Sequence, residues 1–273
     1  MTINCKGNLV DLSSPKVMGI LNITPDSFYD GGTYKNESEI LNQVEKMLLD
    51  GATFIDVGAY SSRPGAQHIS EEEELKRSLP VINLLLQHFP EIMISVDTFR
   101  SKVAKETIYA GAALINDISG GKMDDNMFAT VSKLQVPYIL MHMLGTPQNM
   151  QQNPVYENVT KEIISFFAAQ IYKLRQLKLT DVVIDVGFGF GKTIDHNFEL
   201  LKNLALFKSL DVPILTGISR KSMLYKTLDV SAQEALNATT SANTIALLNG
   251  ANILRVHDVK EAVEAVKIVH KVQ

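Results

Sequence analysis

The chain has no tryptophan, a single cysteine and no long apolar run. One thiol, Cys5, cannot close an intramolecular disulfide, which excludes a disulfide-stapled scaffold and suits a reducing compartment. No stretch approaches the roughly 18 apolar residues of a membrane-spanning helix. The opening MTINCKGNLVDLSS lacks the apolar core and small-residue cleavage site of a secretory signal, so a cytoplasmic location is expected. A basic excess is missing too: 26 Lys and Arg face 30 Asp and Glu, a formal charge of −4 at pH 7. That balance gives no electrostatic footprint for nucleic acid or an acidic membrane surface. Among six His and one Cys there is no HExxH or Cys/His cluster of the zinc kind, and no G-x-S-x-G elbow. What remains is an ordinary globular composition, 45% hydrophobic and 21% charged over 273 residues, close to the roughly 250 of an eight-fold α/β barrel.

Short β-branched apolar runs recur along the chain: VMGILN at 17–22, TFIDVG at 53–58, IMISVD at 92–97, ALIND at 113–117, YILMH at 138–142, VVIDVG at 182–187, PILTGI at 213–218 and ILRVH at 253–257. Near-continuous apolar character over four to six residues is the pattern of parallel strands buried on both faces. Segments with helical spacing lie between them, such as EILNQVEKMLLDGA, EEEELKRSLPVINLLLQHF, NVTKEIISFFAAQIYKLRQL, NFELLKNLALFKSL and SAQEALNATTSANTIALLNGA. Pro80, inside the second of these, marks either a kink or the true helix start. Eight strand–helix alternations without a Pro/Ser/Gly-rich linker predict a (β/α)₈ TIM barrel forming one domain over 1–273. The opening NCKGNLVDLSS reads as a short β-hairpin placed to plug the N-terminal end of the barrel. An open doubly wound sheet is the rival, but its glycine fingerprint is missing. GFGFGKT at 187–193 puts Lys192 where the third glycine belongs, and a P-loop ending there needs glycine at Val186.

Barrel enzymes build their sites at the C-terminal strand ends. Here those ends carry Asn22, Arg63, Asp97-Thr98, Asn116-Asp117, His142-Met143, Asp185, Ser219-Arg220-Lys221 and Arg255, His257 and Asp258. A buried strand has no structural need to finish in a charged or amide side chain, so the set is informative, whereas any one Asp equally serves as a helix N-cap. Asp97, Asn116 and Asp185 suit a planar heterocycle carrying several donors and acceptors. Lys221, Arg255 and His257, with Asn22, form a cationic and polar rim for phosphate oxygens or an accompanying divalent metal. Phe188, Phe190, Met141 and Met143 offer apolar faces for a ring, the two Phe equally well being core. His68, His88, His196 and His270 read as solvated surface residues. The loops PDSFYDGGTY and SSRPGAQ read either as mobile lids bringing Asp26, Asp30, Ser62 and Arg63 to the site or as ordinary βα connections.

MGILNITPDSFYDGG at 18–32, GAYSSRPGA at 58–66, SVDT at 95–98, INDISGG at 115–121, DVGFGFGKT at 185–193, GISRKS at 217–222 and LRVHDV at 254–259 resemble, in order, the motifs of the dihydropteroate synthases, pterin-binding TIM barrels. The resemblance spans nearly the whole chain. It implies condensation of 6-hydroxymethyl-7,8-dihydropterin pyrophosphate with p-aminobenzoate to give 7,8-dihydropteroate and pyrophosphate. It further implies a pterin pocket of Asp97, Asn116, Met143, Asp185, Phe190, Gly217 and Lys221, and a pyrophosphate site of Asn22, Ser62, Arg255 and His257 with Mg²⁺ at Asn22. Asp26, Asp30, Ser61, Ser62, Arg63 and Pro64, with Phe190, Lys221 and Ser222, would frame the p-aminobenzoate pocket, where sulfonamides compete. Asp97, Asp185, Lys221, Arg255 and His257 would carry catalysis. Tyr29 and Ser62 stand where Ser and Thr are frequent in the family. A homodimer is expected by the same resemblance, with the Ala-, Thr- and Asn-rich segment around 231–250 as a candidate pairing surface. Two other readings compete: a methyltetrahydrofolate-dependent corrinoid methyltransferase, which needs no pyrophosphate site, and a non-catalytic pterin-binding protein, expected to have lost some of Asn22, Arg63, Lys221, Arg255 or His257.

Overall fold

The computed structural model describes residues 1–23, 34–61, 68–150 and 154–272. Eight parallel strands close on themselves: β3 (Lys16–Asn22), β4 (Phe54–Gly58), β5 (Met93–Asp97), β6 (Leu114–Asp117), β7 (Tyr138–Met141), β8 (Val182–Asp185), β9 (Ile214–Thr216) and β10 (Ile253–Val256). β10 pairs with both β9 and β3, which completes the ring. The eight apolar runs of the sequence are these eight strands. Before them, β1 (Thr2–Cys5) and β2 (Asn8–Asp11) form the antiparallel hairpin, starting two residues earlier than NCKGNLVDLSS implied. Lys6 and Gly7 both take positive φ, 54° and 84°, the backbone a two-residue primed hairpin turn demands.

The period of two along each strand sorts the side chains. Val17, Leu21, Ile55, Val57, Ile94, Val96, Ile115, Leu140, Ile184, Leu254 and Val256 face outward into one large apolar cluster with the surrounding helices. Their neighbours Met18, Phe54, Met93, Leu114, Ile139, Val183, Leu215 and Ile253 face inward and meet Ile3, Cys5, Val10 and Leu12 of the hairpin region. The hairpin therefore plugs the N-terminal end with hydrocarbon. Two residues further along, five of the eight inward positions are polar, Asp56, Ser95, Asn116, Asp185 and Arg255, and that change of character sets where a site can lie.

Around the barrel run α1 (Tyr34–Leu49), α2 (Glu71–His88), α3 (Ser101–Tyr109), α4 (Met127–Leu134), α5 (Val159–Gln176), α6 (Ile194–Lys202), α7 (Ser222–Tyr225), α8 (Leu236–Leu248) and α9 (Val259–Val269). α2 starts at Glu71, where the Ser70 hydroxyl accepts from the Glu73 N–H and four glutamates fill the first turn, favourable against the helix dipole. Pro80 is thus interior rather than the start, and it lies on the exposed face. NFELLKNLALFKSL is two pieces rather than one: α6 ends at Lys202 and a 3₁₀ turn takes over at Leu204–Leu210.

Candidate active site

Inside the barrel, above the apolar layer, a charged cup forms around Arg255 on β10. Its Nε donates to Asp56 Oδ2 at 2.6 Å and a terminal nitrogen donates to Asp97 Oδ2 at 2.9 Å. Asn116 Nδ2 donates to the same Asp56 oxygen at 3.0 Å. Three of the residues expected from the strand ends, Asp97, Asn116 and Arg255, are therefore brought together by a fourth that strand-end reading passed over. Asp56 sits mid-strand in β4 and is fully buried. Its signal was present, since a carboxylate in the middle of a strand apolar on both faces needs a partner inside. Arg255 thus joins the cup through its Nε and one terminal nitrogen.

Charge in the cup is finely balanced. Burial pushes the Asp97 carboxyl up to about 7, Arg255 pulling against that and Asp56 adding to it. Burial likewise raises Asp185, opposed by Lys221 and by the Gly187 N–H that reaches Asp185 Oδ1 at 2.8 Å. The Lys221 ammonium is pushed down by burial, to about 8, with Asp185 resisting. Burial also works against the charge of Arg255, but Asp56 and Asp97 outweigh it and hold the guanidinium above its ordinary range. Gly217 borders this group: a Cβ there would come within 3.8 Å of Asp185 Oδ2 and 4.0 Å of Arg255. Around Gly58, Asn22 Oδ1 and Asp97 lie within similar reach, which puts Asn22 at the edge of the same cup.

One wall is a loop held by two lysines. In Gly187–Gly191 all three glycines have positive φ, and a Cβ at Gly187 would stand 2.1 Å from the His142 carbonyl oxygen. Lys192, 3% exposed, points its Nζ back into the loop, donating to Gly187 O and Phe190 O at 2.9 Å each and to His142 O at 3.2 Å, with His142 Nδ1 3.1 Å away. Burial drives Lys192 well below the lysine range and the His142 imidazole down to about 2, so the His142 ring is neutral here. Lys221 donates to Phe188 O and lies 4.4 Å from the Phe190 ring centre. Phe188 is core, whereas Phe190 is half-buried and packs against the cluster that includes Met141 and Met143. The alternative left open for the two Phe thus splits between them.

The rim is tied across strands. Ser219 Oγ accepts from the His257 backbone N–H at 3.2 Å and faces His257 Nδ1 at 3.0 Å. Arg220, at φ 54°, binds both Asp258 oxygens at 2.8 and 2.9 Å and caps the Ala232 and Gln233 carbonyls. This clip joins the loop carrying Lys221 to the one carrying His257. Asp117 is structural: it accepts from Ser119 N, Gly121 N and the Tyr138 hydroxyl. His68, His88 and His270 are exposed as expected, but His196 is half-buried and completes a capping box with Thr193. Ser222 opens α7, and Ser61 is the last described residue before 62–67. Asp26, Tyr29, Asp30, Ser62, Arg63 and Pro64 lie outside the described residues.

Comparison with known proteins places the chain in company. The profile of the family described as pterin binding enzyme matches residues 18–257. The Escherichia coli K12 dihydropteroate synthase is 43% identical over 271 residues, 98% of this chain and 95% of that one. The Haemophilus influenzae dihydropteroate synthase is 41% identical over 98% of each. Among solved structures, the Yersinia pestis dihydropteroate synthase with a sulfonamide drug superposes with a TM-score of 0.93 at 43% identity, covering 100% of this chain and 99% of that one. The Xanthomonas albilineans dihydropteroate synthase with 4-aminobenzoic acid gives 0.92 at 35% identity, covering 100% and 98%.

Replacing Lys192 with Met keeps the stem and removes the polar head, leaving the His142 and Phe190 carbonyls without that donor, while Gly187 O keeps only the Phe190 N–H. Each such group costs about 1–3 kcal/mol, so the variant is expected to lose roughly 3 kcal/mol of unfolding free energy in urea titration. A loss below 1 kcal/mol would show that the loop holds itself.

Proposed function

The chain belongs to the dihydropteroate synthases of the pterin-binding enzyme family, and from that premise we propose that it condenses 6-hydroxymethyl-7,8-dihydropterin pyrophosphate with p-aminobenzoate, giving 7,8-dihydropteroate and pyrophosphate. The carrying observation is the cup itself: Asp56, Asp97 and Asp185 face Arg255 and Lys221, with Asn116 between them. Carboxylates and an amide together satisfy a ring edge rich in amino and ring N–H groups. Apolar Met143 and the half-buried Phe190 supply faces for that ring, and Gly217 leaves room for it.

The reaction has two parts in this reading. The bond from the pterin methylene carbon to the pyrophosphate oxygen breaks with its electron pair going to pyrophosphate. The aniline nitrogen of p-aminobenzoate then bonds to the methylene and gives up a proton, to Asp30 or a water at the first loop. With every group ionised the cup holds three carboxylates against two cations, an excess of one negative charge that suits a delocalised pterin cation in a site with little water. Arg255 and His257 are the groups offered to the departing pyrophosphate. Phe190, Lys221 and Ser222, with Ser61, Ser62, Arg63, Pro64 and Asp26 of the loops, frame p-aminobenzoate, and a sulfonamide would compete there.

Mg²⁺ fits this arrangement through Asn22. Among the described residues no group of three or more His, Cys, Asp or Glu could hold a metal alone. Asn22 Oδ1, beside Gly58 and Asp97, gives one neutral oxygen, the kind of partial ligand set a Mg²⁺ accepts when substrate phosphates and water supply the rest. When bound, the ion would neutralise developing charge on pyrophosphate.

No helix among the described residues is long and apolar enough to cross a membrane. A cytoplasmic homodimer over the full 1–273 domain completes the reading. Ile245 and Leu248 on α8 and Ile268 on α9 leave 45%, 50% and 67% of their surfaces exposed, in keeping with a pairing face around 231–250. Sedimentation equilibrium should then return twice the 30.2 kDa chain mass, and a 30.2 kDa species would exclude the dimer.

The purified protein with the pterin pyrophosphate and Mg²⁺ is expected to release pyrophosphate only when p-aminobenzoate is added, with dihydropteroate as co-product. Pterin binding without release would replace the synthase with a non-catalytic pterin binder. The raised Asp97 also predicts a pH dependence. Its ionised form accepts ring N–H groups and gains population as pH rises through about 7, so pterin affinity of the free enzyme should increase across pH 6 to 8. Calorimetric titration should find that rise abolished in Asp97→Asn; an unchanged profile in the variant would assign it to another group.

A further inference from the structure

We infer that Asp56 is a positioning residue that dictates which end of the Asn116 amide meets the substrate ring, an inference resting on the pterin reading above. Asn116 is 3% exposed, and its amide oxygen and nitrogen have nearly the same shape, so packing does not choose between its two orientations. Hydrogen bonding does. Asp56 Oδ2 already accepts from the Arg255 Nε–H, so at 3.0 Å it receives the Asn116 NH₂ as well and turns the amide oxygen away from itself. Arg255 Nε shares that oxygen at 2.6 Å, which holds the carboxylate in place and gives it a cationic partner within the barrel.

Fold stability is a poor explanation for this carboxylate. Asp56 Oδ1 is buried and has no hydrogen-bond partner among the described residues, and Ser95, paired with Asp56 in the β4–β5 register, likewise has a buried hydroxyl without one. Arg255 already has Asp97 as a counter-charge. A position kept polar at such expense inside the barrel is explained by what it imposes on its neighbours. The Asn116 oxygen is thereby set on the side away from Asp56, and the ring atom that meets that oxygen must bring a donor. A ring presenting an acceptor at that point would face an oxygen that cannot turn.

Substitutions at the two positions test the inference. In Asn116→Asp two carboxylates face each other, and affinity for 6-hydroxymethylpterin, measured by calorimetry, should fall at least tenfold. In Asp56→Asn, Arg255 Nε holds the new amide oxygen where Oδ2 stood, so that oxygen still accepts from the Asn116 NH₂. The Asn116 oxygen keeps facing the ring, and affinity should stay within about threefold of the parent. Asp56→Ala should lose about tenfold, since nothing then sets the amide. Thermal unfolding of each variant separates this from misfolding, and if Asp56→Ala does not fold, Asp56→Leu takes its place. An Asp56→Asn no better than the apolar variant, with both folded, overturns the inference while leaving the synthase reading intact. Absence of 6-hydroxymethylpterin binding by the parent protein overturns both.

Discussion

A guanidinium inside a closed barrel has to be shared among carboxylates, and the arrangement of this site follows from how Arg255 is shared. Taking charges out of water is expensive, and only good geometry with further hydrogen bonds offsets it. Asp56 takes Nε and Asp97 takes a terminal nitrogen, so the three side chains on β4, β5 and β10 form one unit across the barrel. Asn116 joins through Asp56, and Asp185 and Lys221 complete the balance from the far side. Because each member is held by another, the polar groups stand ready before a substrate arrives, which is how electrostatic preorganisation lowers a barrier.

The barrel makes this possible by separating two jobs along every strand. Inward residues near the N-terminal end are hydrocarbon and pack on the hairpin, so stability is supplied there. Inward residues one repeat further on are free to be polar, where an unpaired group is expensive and a paired one is precise. The loop at Gly187–Gly191 repeats the logic in backbone. Three glycines at positive φ shape it, and Lys192 takes the Gly187 and Phe190 carbonyls while Lys221 takes that of Phe188. Lys192 is thus structural support for the wall on which Phe190 and Lys221 stand.

Much of this was legible in the residues. Eight apolar runs announced eight buried strands, because a strand covered on both faces cannot alternate in polarity. Polar strand ends named Asp97, Asn116, Asp185, Lys221 and Arg255, because nothing in a buried strand requires them. Asp56 escaped because attention to strand ends ignores the middle of a strand, and Lys192 because its importance lies in carbonyls that no sequence pattern displays. His142 looked like a site residue, and its backbone carbonyl and ring instead meet the Lys192 Nζ behind the wall.

The sequence by itself determined the alternation of strands and helices, the hairpin, and the residue types at the barrel mouth, all of which depend on local periodicity and side-chain chemistry. Only the tertiary structure decided which of those polar groups pair. Asp56 and Arg255 are separated by 199 residues, and nothing local tells a guanidinium which carboxylate will share its space. That choice comes from strand register and barrel closure, which set β10 beside β3 and turn the inward faces of distant strands toward one another.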